Sequence, residues 1–309
     1  MSHEGRMRDE YNMPSNEEIE DALLVSLLNH SGTIKEFASG EDIVDEIANY
    51  FHLKENQRTA VLERIYRKEN RIVKSPLWHR LLYRAANSLS NKKLVSNPST
   101  TFNLTNRKEW MLTENGFDEA LKLLNIPTEQ KEVLPIRSYE VQKVVNKINE
   151  APRPVNYHPI EDKRTTTVTK EASIRKRGFR QAVIEAYDFK CSVCGLKINS
   201  PKRNIWEVEA AHIVPHSSKG KDDILNGISL CHLHHWAFDV GWFSLLDDYM
   251  LTVSPEADNL KDEFGKFGNY EFIKSLTQTV HKISLPSHSN IYPHLSAIKW
   301  HRENIFNKR

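Results

Sequence analysis

The stretch LCHLHHWAFD, Leu230–Asp239, packs one cysteine, three histidines and one aspartate into ten residues. That is more ligand capacity than one metal ion uses. The chain has only three cysteines, Cys191, Cys194 and Cys231, all inside a 41-residue window. An odd number argues against a disulfide framework and points to a metal site. Cys191-x2-Cys194 and Cys231-x2-His234 form two close-spaced ligand pairs, and structural zinc is four-coordinate and accepts three cysteines and one histidine. We therefore expect a structural Zn2+ held by Cys191, Cys194, Cys231 and His234.

The stretch still has ligands to spare. In a helix, His235 points about 100° away from His234 and faces a different neighbour. Asp239 follows His235 by four residues, so the two share a helix face. Either they capture a second ion together, or Asp239 ends the helix before Gly241. His232 is left without a role.

Between the two ligand pairs runs WEVEAAHIVPHSSKGKDDILNGISL, residues 206–230. Trp206–Val214 is predicted as a strand carrying His212. A polar loop, Asn226-Gly227 and the second ligand pair follow, and then a helix. His212, Asn226 and His235, in this order, resemble the HNH, or ββα-metal, nuclease motif. AAHIVP, NGISLC, HHWAFDVGWF and the closing WHRENIF resemble its restriction-type subfamily, over about residues 175–306. The resemblance implies hydrolysis of a phosphodiester. His212 would be the general base, because an imidazole titrates near working pH. His235 would bind a catalytic Mg2+ or Mn2+, and Asn226 would tether the loop that aims the base. The zinc would only pin the hairpin to the helix. One position departs from the commoner pattern: the residue before the base, often a metal ligand, is Ala211. Glu209, two residues earlier, either substitutes for it or is a surface residue.

The remaining histidines and cations take plainer readings. His216 and His232 are expected at the surface or behind the site. His301 and Arg302 are expected to dock the last helix, with phosphate contact by Arg302 as the alternative. Lys170, Arg175, Lys176, Arg177 and Arg180, on a basic helix starting near Ser173, are either phosphate contacts or a solvated face.

The first half of the chain is charge-segregated. Residues 1–50 carry 12 acidic side chains against 3 basic ones, and residues 54–108 carry 13 basic against 3 acidic. The basic block either pairs with the acidic segment or forms a nucleic-acid surface. Apolar spacing predicts helices over Asn16–Asn29, Ser39–Leu53, Gln57–Lys68, Leu77–Ser90 and Glu114–Leu124. Short strands are predicted at Leu94–Val95, Thr101–Leu104 and Trp110–Leu112. The segment WHRLLYRAANSLSNKKLV…FNLTNRKEWMLTENGFDEALKLL resembles the N-terminal winged-helix module of modification-dependent restriction enzymes. That resemblance implies a DNA-reading helix at Leu77–Ser90, with Arg80, Arg84, Lys92 and Lys93 on DNA. Trp78, Tyr83, Phe102 and Trp110 either line a pocket for a modified base or belong to the core.

The expected fold is α+β: a disordered tail over 1–14, a winged helix over 15–126, a linker over 127–172 that holds a short helix near Val141–Ile148 and the TTTVTK run at 165–170, and a zinc-stabilised HNH domain over 173–309. The polar N-terminus lacks an apolar signal core and no long apolar run is present, so a cytoplasmic location and no membrane contact are expected. The expected partner is double-stranded DNA. The winged-helix resemblance, and the lack of an (Asp/Asn)-Pro-Pro-Tyr stretch, favour methylated DNA, with N6-methyladenine as first guess. Because one HNH site cuts one strand, a homodimer or two sequential nicks are expected. The alternatives are an ordinary restriction enzyme with a separate methyltransferase, a DNA-binding regulator with an inactive nuclease fold, and a toxin-type nuclease.

Overall fold

The computed structural model describes residues 3–37, 42–66, 71–161, 170–201, 205–261, 264–278 and 282–308. It divides into two compact units, Met1–Gln142 and Lys143–Arg309. Among the described residues no helix is long and apolar enough to cross a membrane.

The first unit begins with α1 (His3–Glu10) and α2 (Asn16–Asn29), followed by β1 (Thr33–Lys35), α3 (Asp42–Tyr50) and α4 (Glu55–Thr59). A hairpin of β2 (Val61–Tyr66) and β3 (Arg71–Pro76) leads into α5 (Leu77–Asn91). Then come β4 (Val95–Ser96), α6 (Pro98–Thr105), β5 (Glu109–Leu112) and α7 (Glu114–Leu123). β1, β5 and β4 form one antiparallel sheet in that order. Ser15 caps α2 in a complete capping box with Glu18, which satisfies two orphan N–H groups reciprocally. Leu23, Leu27, Leu82, Leu89, Phe117 and Leu121 are among the side chains that fill the core.

The LTENG turn at 112–116 has a direct explanation. Thr113 caps α7 by accepting from the Gly116 N–H at 3.1 Å. A side chain at Gly116 would collide with the Leu94 carbonyl, so glycine alone lets the helix start there.

Several predicted elements change. The tail expected to be unstructured forms α1, because Glu4 is buried against two arginines of α5. The helix predicted over Gln57–Lys68 stops at Thr59: Ala60 turns extended and Val61–Tyr66 pairs with Arg71–Pro76. Lys68 lies outside the described residues, as does Ser39, where another helix was expected to begin. The strand predicted at Thr101–Leu104 is part of α6. Asn97 accepts from the Thr100 N–H at 2.9 Å and Pro98 occupies the first helical turn, and this start signal outweighs β propensity. The expected linker is in part folded into the first unit, since Leu134 and Ile136 join its core; the short helix expected near Val141–Ile148 is present as α8 (Tyr139–Glu150). The Thr165–Thr167 run lies outside the described residues.

In the second unit, α9 (Lys170–Ala186) precedes the hairpin of β6 (Val208–His212) and β7 (Gly227–Cys231), and α10 (His232–Asp239) follows β7 without a break. The antiparallel register sets Val208 opposite Cys231 and His212 opposite Gly227. β8 (Phe243–Leu245) pairs with β9 (Leu251–Val253), and β10 (Lys266–Phe267) with β11 (Tyr270–Glu271). α11 (Phe272–Gln278) and α12 (Leu295–His301) complete the unit. The core gathers Phe179, Val183, Ala211, Ile228, Leu230, Phe238 and Phe243, all at most 2% exposed.

Candidate active site

Two side-chain groups flank α10. The first is the cluster of Cys191, Cys194, Cys231 and His234, whose ligand atoms all lie within 4.8 Å of one another. Cys191 and Cys194 sit on a turn closed by the Gly195 N–H to the Cys191 carbonyl at 2.9 Å. Gly195 takes φ +74°, a left-handed conformation that suits glycine. The Ser192 N–H donates to the Ser229 carbonyl at 2.8 Å and ties this turn to β7, where Cys231 waits. Cys231 Sγ is 3.0 Å from His234 Nδ1 and 4.0 Å from Cys194 Sγ, and Cys191 Sγ is 3.7 Å from His234 Nδ1. A tetrahedral zinc places its ligands about 3.3–3.8 Å apart, so spacing and donor set both suit that ion. Hydrogen bonds from Cys194 and Cys231 hold the Cys191 thiol far below the usual range, and Cys231, donating to it, shifts the opposite way. A cluster that already favours a thiolate is ready for a cation.

The second group is built on His212 and His235, the latter about 100° around the helix from His234. His212 ends β6 and its Nε2 is 3.0 Å from Asp222 Oδ1. Its ring stacks on Phe179 of α9, with centroids 4.2 Å apart. That approach depends on Gly227, where a β-carbon would collide with Val183 and lie 3.0 Å from the Phe179 ring. His235 Nδ1 is 2.9 Å from Glu209 Oε2, and its Nε2 is 3.5 Å from Asp239 Oδ2. The hydrogen bond to His235 holds the Glu209 carboxyl below its usual range. Burial would lower the His235 ring, but Glu209 and Asp239 outweigh it and push it up. The Asp239 carboxyl is raised, chiefly by burial.

Asn226 holds the loop between these groups. Its Oδ1 accepts from the Val214 N–H at 2.8 Å, and its Nδ2 donates to the Val214 and Lys221 carbonyls at 3.1 and 3.0 Å. The residue is fully buried. Removing it strands three partners, each worth about 1 kcal/mol or more. Asn226→Ala is therefore expected to cost about 3 kcal/mol in urea denaturation and to lower cleavage in parallel.

Other predicted residues take different places. Ala211 is fully buried and offers no donor. Glu209 faces His235 Nδ1 and lies within 4 Å of His232 and Arg180. His232 is exposed beside Glu207, and the His216 ring lies 6.0 Å from that of His212. Arg302 donates to the Leu245 carbonyl at 2.7 Å and pairs with Asp247, so it holds β8. Arg177, expected on phosphate, is 5% exposed and faces the interior. Lys176 and Lys170 are exposed, and Arg175 pairs with Asp222 at 3.0 Å.

In the first unit Arg80 and Arg84 both bind Glu4, at 2.8 and 2.7 Å, and Lys92 binds Glu20 at 2.5 Å. Buried carboxylates need partner cations, which is why the acidic segment takes these basic side chains; Lys93 stays exposed. Trp78 and Trp110 are core residues, and Trp78 Nε1 donates to the Val44 carbonyl. The Tyr83 hydroxyl donates to the Phe37 carbonyl, and Phe102 is exposed on α6. The proposed pocket for a modified base is thus not assembled from these four residues.

His301 seals the second unit. Its ring stacks on Phe238 at 3.7 Å, Nδ1 meets Ser244 Oγ at 2.8 Å and Nε2 meets the Phe238 carbonyl at 3.1 Å. Burial pushes its pKa down from 6.5 to about 4, against the hydrogen bond to Phe238. Between those pH values the unfolded chain binds a proton that the folded chain refuses, so stability falls as pH drops from 6.5 to 4. The stake is on the order of 3 kcal/mol. Urea melts at pH 7.5 and 4.5 are expected to show His301→Gln losing less stability on acidification than the unsubstituted protein.

Residues 191–246 match a family model described as HNH endonuclease. No match was found among curated proteins. Among solved structures, a protein titled "Modification dependent TagI restriction endonuclease" aligns with 19% identity and a TM-score of 0.31, covering 45% of this chain and 44% of that one. The chain thus spans less than half of that protein. The matched segment runs from Cys191 through both ligand pairs, His212, Asn226 and His235 to the end of β8. Residues 191–246 form an HNH endonuclease domain, a phosphodiester hydrolase.

Proposed function

We propose that the chain is a metal-dependent DNA endonuclease of the restriction type, in which the N-terminal unit reads DNA and the C-terminal unit cuts it. The observation that carries this reading is the pairing of His212, held by Asp222, with His235 and Asp239 on the adjoining helix. His212 takes a proton from water, and the water oxygen forms a bond to phosphorus. The bond from phosphorus to the leaving oxygen breaks, and its electron pair departs with that oxygen. Glu209 accepts the Nδ1–H of His235, which leaves Nε2, beside Asp239, with its lone pair outward. An imidazole and a carboxylate, with water filling further positions, suit Mn2+ or Mg2+. Held by His235 and Asp239, such an ion would supply charge relief to the phosphate and the leaving oxygen. The cluster of Cys191, Cys194, Cys231 and His234 would hold a structural zinc that ties the Cys191–Cys194 turn to β7 and α10.

A winged-helix reading of the first unit is supported by its order of α2, β1, α3, α5, β4 and β5 and by the sheet order β1-β5-β4. Its sequence resemblance to the module of modification-dependent restriction enzymes favours methylated DNA, with N6-methyladenine first, cut by a homodimer. The second reading is a restriction enzyme for unmodified DNA. The core positions of Trp78 and Trp110 favour it.

The test compares plasmid from methylating and non-methylating hosts, with Mg2+ or Mn2+ and with His212→Ala as control. Cleavage of the methylated plasmid alone supports the first reading. Equal cleavage of both removes dependence on the marks that differ, and no cleavage of either defeats the nuclease.

A further inference from the structure

Asp222 lies in the polar loop between His212 and Asn226, and no motif singles it out. Its carboxylate is 1% exposed and both oxygens are engaged. Oδ1 lies 3.0 Å from His212 Nε2, and Oδ2 accepts from Arg175 Nε at 3.0 Å. Burial alone would raise this carboxyl. The hydrogen bond and charge of His212, with the charges of Arg175 and His216, outweigh burial and hold it below its usual range.

We infer that Asp222 is the positioning residue of the reaction: it locks His212 in the tautomer and ring orientation that a general base requires. This rests on the reading of His212 as the base. A carboxylate only accepts hydrogen bonds, so Nε2 must carry the proton. Nδ1 then keeps its lone pair and can take the proton of the attacking water. Phe179 stacks against the ring and fixes its plane, while Asp222 fixes rotation within that plane. Asn226 acquires a second purpose. By holding the Lys221 carbonyl it fixes the backbone just before Asp222, and so sets where the carboxylate stands. Gly220 serves the same loop, since a side chain there would strike the Val214 carbonyl. Arg175, offered by the sequence as a phosphate contact, anchors the far oxygen instead.

Asp222→Asn keeps the shape but offers an amide N–H to Nε2, which favours the opposite tautomer and puts a proton on Nδ1. On plasmid DNA with Mn2+, kcat is expected to fall about 100-fold or more, with KM and DNA affinity within about twofold. NMR of 15N-histidine-labelled protein, with His212→Ala to assign the signal, is expected to show His212 protonated at Nε2 in the unsubstituted protein and at Nδ1 in Asp222→Asn. A kcat within threefold of the unsubstituted enzyme, or an unchanged tautomer, would overturn the assignment. Should Asp222→Asn fail to fold, the unsubstituted protein decides alone: His212 protonated at Nε2 upholds the assignment and at Nδ1 overturns it. Full cleavage by His212→Ala would instead defeat the base reading, and the tautomer result would stand apart from it.

Discussion

Cys191→Ser is expected to unfold the C-terminal unit at 25 °C. The buried sulfur it removes stands 3.7 Å from His234 Nδ1 in a four-ligand cluster that ties the Cys191–Cys194 turn to β7 and α10. Structural zinc contributes roughly 10–16 kcal/mol in small metal-dependent domains, and a domain's whole stability is about 5–15 kcal/mol. Loss of one ligand therefore takes a large part of what holds the unit together. Zinc per chain, measured by atomic emission, is expected to fall from one to near zero. The thermal melt should lose the transition of the C-terminal unit and keep that of Met1–Gln142, whose core contains no cysteine. A Cys191→Ser protein that melts like the original but fails to cleave would move the cluster from scaffold to chemistry.

His212→Ala gives the other large effect, this time on rate alone. The side chain is 21% exposed and its main attachments are one ring stack and one hydrogen bond. Its loss should cost no more than about 1–2 kcal/mol of stability. General base catalysis is worth about 10²–10⁴ in rate, so plasmid nicking should drop by that factor while DNA affinity stays within about twofold. Single-turnover nicking together with a binding titration separates the two. Retained nicking would place the base elsewhere, with His216, whose ring lies 6.0 Å away, as the alternative imidazole.

Much of the catalytic half was legible in the chain because its chemistry is written in short spacings. The two ligand pairs, and the divergence of His234 and His235, follow from helix geometry over adjacent residues. Partners brought together by the long loop were not legible. Asp222 is one carboxylate of an Asp-Asp pair in KGKDDILNG, and nothing local distinguishes it from Asp223, which faces the Leu225 N–H instead. Glu209 was visible only as a residue that either binds the ion or decorates the surface. Its place at His235 Nδ1 required the hairpin register and the turn into α10.

The first unit was less legible, for an opposite reason. Arg80, Arg84 and Lys92 form a convincing basic face until Glu4 and Glu20, more than 70 residues away, neutralise them. Composition records charge, but only packing records which charges are already spent. Trp78 and Trp110 likewise read as candidate base contacts until a closed core claims them. By itself the sequence determined which residue types could bind metal, where the strand carrying His212 and the helix carrying His235 lie, and which histidine goes to which side. Those features depend on neighbours within a turn or a strand. The tertiary structure decided which carboxylates hold the histidines and which cations remain available. Those contacts are made between segments far apart in the chain, and burial there makes each ionic partner obligatory.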